Sequence, residues 1–307
     1  MRDDAKTSFP RVPSRRTLLI GSGSAFGAIV IWAGWIVATR HAAQTLDISI
    51  VALLRYGIPA LVLMPLWLRT GLVPAGVPNR VLLALIAGAG APFFLTAAFG
   101  MRAAPAAEVG PLLPGTMPLF VAVLAGLFFH EQMSLVRKGG FLLIAVGVMV
   151  IVGLQMVTAT PTHPSGHALI LVSALFWAVY TVALRRSGLS AFEATALISV
   201  WSAIMLLPFG TMPLIEALQQ GRAGEIAMQA LVQGVLSGIV ATILFANAIL
   251  RLGASRAAAF AALLPALAAI LAIPVLGEIP DAVAIIGIVM TSFGVAFASG
   301  TFDSKSA

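Results

Sequence analysis

Residues 31–40 read I-W-A-G-W-I-V-A-T-R, and 145 positions later residues 176–185 read F-W-A-V-Y-T-V-A-L-R. Trp32 aligns with Trp177, Trp35 with Tyr180, Ala38 with Ala183 and Arg40 with Arg185. In each copy the two aromatic residues stand three apart and so share one helix face. Two packing aromatics could coincide by chance, but then the rest of the chain would be unrelated. It is not. At an offset of 147, Pro118 stands over Pro265, Glu131 over Glu278, Gly140 over Gly287 and Gly147 over Gly294.

The medium is set by composition. Of the 307 residues 60% are hydrophobic and 9% charged, whereas soluble domains carry about 25% charged residues. Continuous apolar runs of about 20 residues, each enough to cross a bilayer as a helix, fall at 18–38, 48–68, 81–101, 106–128, 139–157, 167–184, 192–212, 226–250, 257–276 and 282–300. Their continuity, without alternation, argues against a β-barrel. The expected fold class is an all-α integral membrane protein of ten transmembrane helices. A Pro/Thr/Ser-rich linker, 158–166, separates a first repeat, 18–157, from a second, 167–300, with tails at 1–17 and 301–307. Five helices per repeat is an odd number, so the second repeat lies upside down relative to the first. Inverted repeats place a substrate site near the midplane, between the halves.

Orientation follows from the basic residues. With the N-terminus inside, 14 Lys and Arg fall on the cytoplasmic side, 3 (Arg40, Arg102, Arg222) on the other, and Arg55 within a span. That bias predicts cytoplasmic termini in a bacterial inner membrane. Ser14-Arg15-Arg16-Thr17 resembles a twin-arginine export signal, but the apolar run behind it is longer than a signal core and further spans follow. The net charge of +7 sits at span ends with no patch for nucleic acid. There is no cysteine, and four scattered histidines give no metal cluster. No cofactor, metal site or catalytic residue is expected. An intramembrane enzyme would need a nucleophile with a base, or a metal cluster. The expected partners are a small-molecule substrate and the lipid bilayer, with the chain a monomer.

The aromatic-rich first and sixth spans, Leu53-Leu54-Arg55-Tyr56 in the second, the Pro-bearing fourth and ninth spans running into His130-Glu131 and Gly277-Glu278, and the glycine-bearing fifth and tenth spans resemble the drug/metabolite transporter superfamily, in its EamA-type ten-span members. Within it the chain looks most like the YddG-type exporters of aromatic amino acids. That resemblance implies a facilitative exporter with a central cavity.

Ionisable residues within spans are costly and mark candidate sites. Arg55 is read as a partner for a substrate carboxylate or a gate; the alternative is snorkelling, or pairing with Asp47 or a helix C-terminus. Glu108 is read as a gate closing on Arg55 or Arg102, or as a carboxylate favoured at a helix N-terminus. Glu131 and Glu278 are expected to cap the next helix of each half. Trp32, Trp35, Tyr56, Trp177, Tyr180 and Trp201, with Asn247, are the candidate cavity lining, since aromatic faces take flat, apolar or cationic ligands. Gln233 could face the cavity or bond a neighbouring helix. Pro114, Pro118 and Pro265 are candidate bending points. The first span lacks the buried Glu by which small multidrug exporters resemble one another, which favours facilitated over proton-coupled movement, with coupling through Glu108 left open. The leading expectation is alternating-access export of aromatic or neutral amino acids or similar metabolites; drug or quaternary-cation efflux is the alternative.

Overall fold

Backbone N–H and C=O groups facing lipid must find partners within their own segment, so helices answer this composition. The computed structural model describes residues 15–129, 133–157 and 164–302, and the regular elements within them are helical. His130, Glu131 and the segment 158–163 lie outside the described residues.

All ten apolar stretches are helical, but several are broken. Helix α1 spans Arg15–Thr45, longer than a bilayer requires. The second stretch divides into α2 (Ile48–Val62) and α3 (Met64–Thr70), bent by 71° at Leu63. The bend follows Pro59 and meets Pro65, neither of which has an N–H to give. The third is α4 (Asn79–Ala89) and α5 (Ala91–Ala103), interrupted at Gly90. The fourth is α6 (Ala106–Leu112) and α7 (Met117–Phe129), separated by the turn 113–116 that contains Pro114. Then come α8 (Leu135–Val157), α9 (Pro164–Ser187) and α10 (Ala191–Gln219). The eighth stretch runs α11 (Ala223–Gln229), a π-helical segment Ala230–Val240, and α12 (Ala241–Leu252). The ninth is α13 (Ala254–Phe260), a 3₁₀ turn and α14 (Leu264–Leu276), and the tenth is α15 (Ala282–Ala298). Among the described residues, eight of these units are long and apolar enough to span a membrane, α2 with α3 would make a ninth, and α15 is shorter.

The helices pack chiefly as α8 on α15, α2 on α10 and the π-helical segment, α1 on α12 and α14, α9 on α4 and α5, and α6 on α14. Without a hydrophobic drive between helices in lipid, such contacts depend on small residues that admit a close approach. A Cβ on Gly140 would stand 2.6 Å from the Ala298 nitrogen, and one on Gly110 would stand 2.7 Å from Pro265 Cα. The second contact joins the Pro-bearing spans of the two repeats. Asp47 caps α2, Ser190 and Glu193 form a capping box on α10, and Asp281 caps α15. Glu278 therefore does not cap the helix that follows it, and its partners lie in the other repeat. One end of the bundle carries Arg40, Glu108, Glu225 and Glu278; the other carries Arg137, Arg185 and Arg251.

Candidate functional site

Arg55 stands in the bundle interior, on α2, and is surrounded by rings. Its guanidinium carbon lies 4.7 Å from the Trp35 ring centre, 5.4 Å from Phe94 and 5.9 Å from Tyr56. Such placement replaces part of the water a cation loses on burial. One guanidinium N–H donates to Ser237 Oγ at 3.1 Å. Among the described residues no carboxylate lies within ion-pair distance of Arg55. Asp47 is engaged at the start of α2, where it accepts from the Ser49 amide.

The local sequence explains the position. Gly234 and Gly238 let the π-helical segment approach α2: a Cβ on either would come within 2.6 Å of Ile58 Cδ1 or 2.8 Å of Pro59 Cγ. Ser237, between them, thereby reaches Arg55. A π-helix leaves its backbone bonding out of α register and is often found at functional sites. On the far side, Tyr56 fills the break at Gly90. Its hydroxyl donates between the Ala89 and Gly90 carbonyls, at 2.8 and 2.7 Å, and the Ala91 amide donates to Ser202 Oγ at 3.0 Å. Both side chains serve backbone groups at the interruption, where the Gly90 carbonyl also accepts the Phe94 amide at 3.1 Å.

Among the described residues three buried polar atoms on the helices around Arg55 have no partner, Arg55 Nε, Trp35 Nε1 and Gln233 Oε1, and a fourth, Ser292 Oγ, is on α15. Buried polar groups in native proteins are almost always bonded, so orphans concentrated in one place ask for a ligand. Two of the three are donors beside a cation, a combination suited to a carboxylate.

The other expected lining residues divide. Trp32 meets Phe245 with ring centres 5.1 Å apart and planes tilted by 56°. Trp177 contacts Phe93 at 5.4 Å and Tyr180 at 5.0 Å, while Trp35 and Tyr56 both meet Phe94. Adjacent phenylalanines of α5 thus stand between Trp35 and Trp177, Phe94 on the one and Phe93 on the other. Trp201 lies apart, its indole N–H donating to the Leu72 carbonyl at 2.9 Å. Asn247 joins Ser24 of α1 to Arg251 at 2.9 and 2.8 Å. Pro118 and Pro265 occupy second positions of α7 and α14, where a missing N–H costs no helical bond; Pro114 lies in the turn that divides its span.

Glu108 reaches neither Arg55 nor Arg102. It meets His167 Nε2 at 2.6 Å, both residues buried, and so links α6 of the first repeat to α9 of the second. Reading the sequence passed over His167, because nothing in the spacing of two residues 59 apart brings them together. The only signal was its place at the mouth of an apolar run. Beside this pair, Arg40 donates to Glu278 at 3.0 Å and to the Met101 carbonyl at 2.7 Å. Glu278 also takes the Ala106 amide at 2.6 Å, which caps α6 from the opposite repeat. At the other end a cavity of about 310 Å³ opens between α7, α8, α9, α12, α13 and α15, lined by Pro118, Arg137, Phe141, Arg185 and Phe245. A second, apolar groove of about 400 Å³ runs between α2 and α10, past Leu61 and Leu207.

Broken helices, buried ionisable residues and charge at both ends define a polytopic membrane protein. The chain belongs to the EamA-like transporter family, whose profile matches it twice, over residues 19–153 and 164–300. It is similar to two proteins of Bacillus subtilis (strain 168). Uncharacterized transporter YcxC is 29% identical over 177 residues, 55% of this chain and 56% of that one. Uncharacterized transporter YdfC is 30% identical over 204 residues, 62% of each. Each match thus spans under two thirds of the relative. A crystal structure described only as that of a protein aligns over 92% of this chain and 96% of its own, with a TM-score of 0.57 and 19% identity, a likeness of fold. The chain is thus a multi-pass membrane protein of this transporter family.

Proposed function

We propose that this transporter exports aromatic or neutral amino acids, or similar carboxylate-bearing metabolites, across a bacterial inner membrane by alternating access. The observation that carries the reading is Arg55. An interior cation stacked on Trp35 and Tyr56, with its Nε and the Trp35 indole N–H both unbonded, is furnished for a carboxylate attached to a flat or apolar group. A quaternary cation would meet that guanidinium at close range, so drug-cation efflux is the poorer fit.

The two mouths support alternating access. The Arg40 end is closed by the Arg40–Glu278 and Glu108–His167 pairs, whereas the Arg185 end holds the cavity. The positive-inside bias assigns the Arg185 end to the cytoplasm, so this is the conformation that would load substrate from the cell interior.

The test is efflux of labelled phenylalanine from loaded proteoliposomes, with Arg55→Gln and Trp177→Ala beside the parent and a tetraalkylammonium dye as rival cargo. The expected result is phenylalanine efflux that falls at least about tenfold in Arg55→Gln, the value of one charge-assisted bond. Efflux indifferent to Arg55, or movement of the dye in place of phenylalanine, would refute the reading.

A further inference from the structure

Gln233 is fully buried on the π-helical segment, and its amide orientation is settled by a relay of hydrogen bonds. Thr39 gives its only hydroxyl proton to the Trp35 carbonyl at 2.7 Å, so its oxygen is left to accept. The Gln233 NH₂ donates to that oxygen at 3.1 Å and to Gln229 Oε1 at 3.1 Å. Gln229 in turn uses its own NH₂ on the Ala38 carbonyl at 3.3 Å. Every link points the same way. Flipping the Gln233 amide would set its oxygen against two acceptors, so the carbonyl oxygen is the end without a partner.

This orphan acceptor sits in register with the orphan donors. On α1, Trp35 and Thr39 are one turn apart; on the facing helix, so are Ser237 and Gln233. Arg55 bridges Trp35 and Ser237, and Gln233 bonds Thr39. The contact that holds the free donors Arg55 Nε and Trp35 Nε1 therefore stands one helical turn along α1 from the contact that holds the free Gln233 oxygen. No described acidic side chain completes this set: Glu108, Glu225 and Glu278 are bound to His167, Arg222 and Arg40 at the end of the bundle.

We infer that Gln233 Oε1 accepts the α-ammonium group of the substrate while Arg55 and Trp35 hold its carboxylate, so that Gln233 makes the site select α-amino acids over the same molecules lacking the amine. The inference rests on the proposed carboxylate site and adds to it the residue that reads the second polar group. A site built to bond an N–H rejects the analogue without one, because the buried acceptor is then left unpaired. Gln229 and Thr39 are positioning residues: they touch Gln233 and fix which of its atoms faces the ligand.

Phenylalanine and 3-phenylpropanoate differ only by the amine, and 2-phenylethylamine lacks the carboxylate. Their binding to the purified full-length protein in detergent, followed by calorimetry or by the indole fluorescence of Trp35 and its neighbours, separates the claims. The parent is expected to bind phenylalanine about tenfold more tightly than 3-phenylpropanoate, the worth of one bond to a charged donor. Gln233→Met, which keeps the bulk and loses the acceptor, brings the ratio close to one by weakening phenylalanine alone. Thermal unfolding of Gln233→Met in the same detergent, expected within a few degrees of the parent, guards against a variant that does not fold. Equal binding of the two ligands by the parent, or a preference that survives in a folded Gln233→Met, overturns the role of Gln233 and leaves the carboxylate site standing. Failure of both carboxylates to bind the parent removes that site, and the inference with it.

Discussion

Arg40 and Glu278 meet at 3.0 Å across the two halves of the chain, and the same carboxylate takes the first free amide of α6 at 2.6 Å. One side chain of the second repeat thus fastens two helices of the first. Glu278→Gln keeps an acceptor but gives up the charge, and is expected to cost about 1–2 kcal/mol, read as a thermal transition a few degrees lower in detergent. The chain has no cysteine, so a single Val37→Cys, at a position only 3% exposed, reports on this end. Its modification by a membrane-impermeant maleimide should be slow in the parent and several-fold faster with Glu278→Gln. Equal rates would show that the ion pair does not hold this end shut.

The Glu108–His167 pair should behave as a unit. Removing either partner breaks this buried 2.6 Å contact, so Glu108→Ala and His167→Ala are each expected to lose about 1–3 kcal/mol. The double variant should lose clearly less than the sum. Thermal unfolding of the four proteins in one detergent gives the cycle, and strict additivity would mean that the two groups do not interact.

Close packing of α8 on α15 makes a steric prediction. A Cβ on Gly294 would stand 2.6 Å from Ile144 Cγ1 and 2.8 Å from the Gly140 carbonyl oxygen, whereas one on Gly126 meets nothing within 4 Å. Gly294→Ala should destabilise by about 1–3 kcal/mol. Gly126→Ala should be neutral or slightly stabilising, since alanine is the better helix former. Comparable transition temperatures for the two variants would contradict the observed approach of α8 to α15.

Tyr56→Phe removes the hydroxyl that serves the carbonyls at the Gly90 break and leaves the ring against Phe94. The expected loss is about 1 kcal/mol, with a similar loss for Ser202→Ala, which deprives the Ala91 amide. A shift of the thermal transition checks both, and a Tyr56→Phe protein as stable as the parent would mean that the Ala89 carbonyl finds another donor.

The helical class and the doubling of the chain were legible in the sequence, because apolar run length and a recurring offset do not depend on how helices pack. Arg55 and its aromatic neighbours Trp35 and Tyr56 were legible for the same reason: a charge inside an apolar run stands out against its medium. What faces what was not. The interruptions at Gly90 and 113–116 depend on Tyr56 and Ser202 arriving from elsewhere to bond the freed backbone. Glu278 reads as a cap for the next helix, a role that Asp281, three residues on, fills instead. Trp201 and Asn247 look like cavity residues by composition alone, and their bonds to Leu72 and to Ser24 and Arg251 arise from helix rotation, which a loose repeat does not specify. Gln233 is polar in an apolar run, but only the direction of its hydrogen bonds makes one end of it available.

The π-helical segment Ala230–Val240 has a mechanical consequence. Its turns are wider than those of the α-helices on either side, so they hold a surplus of chain. Were those turns to tighten to α winding, everything beyond them would rotate about the helix axis like the arm of a crank. Phe245, on that arm, would swing away from Trp32, and Ser237 from Arg55, while α2 stayed where it is. The span that meets the Arg55 guanidinium thus carries a reserve of winding within a single helix.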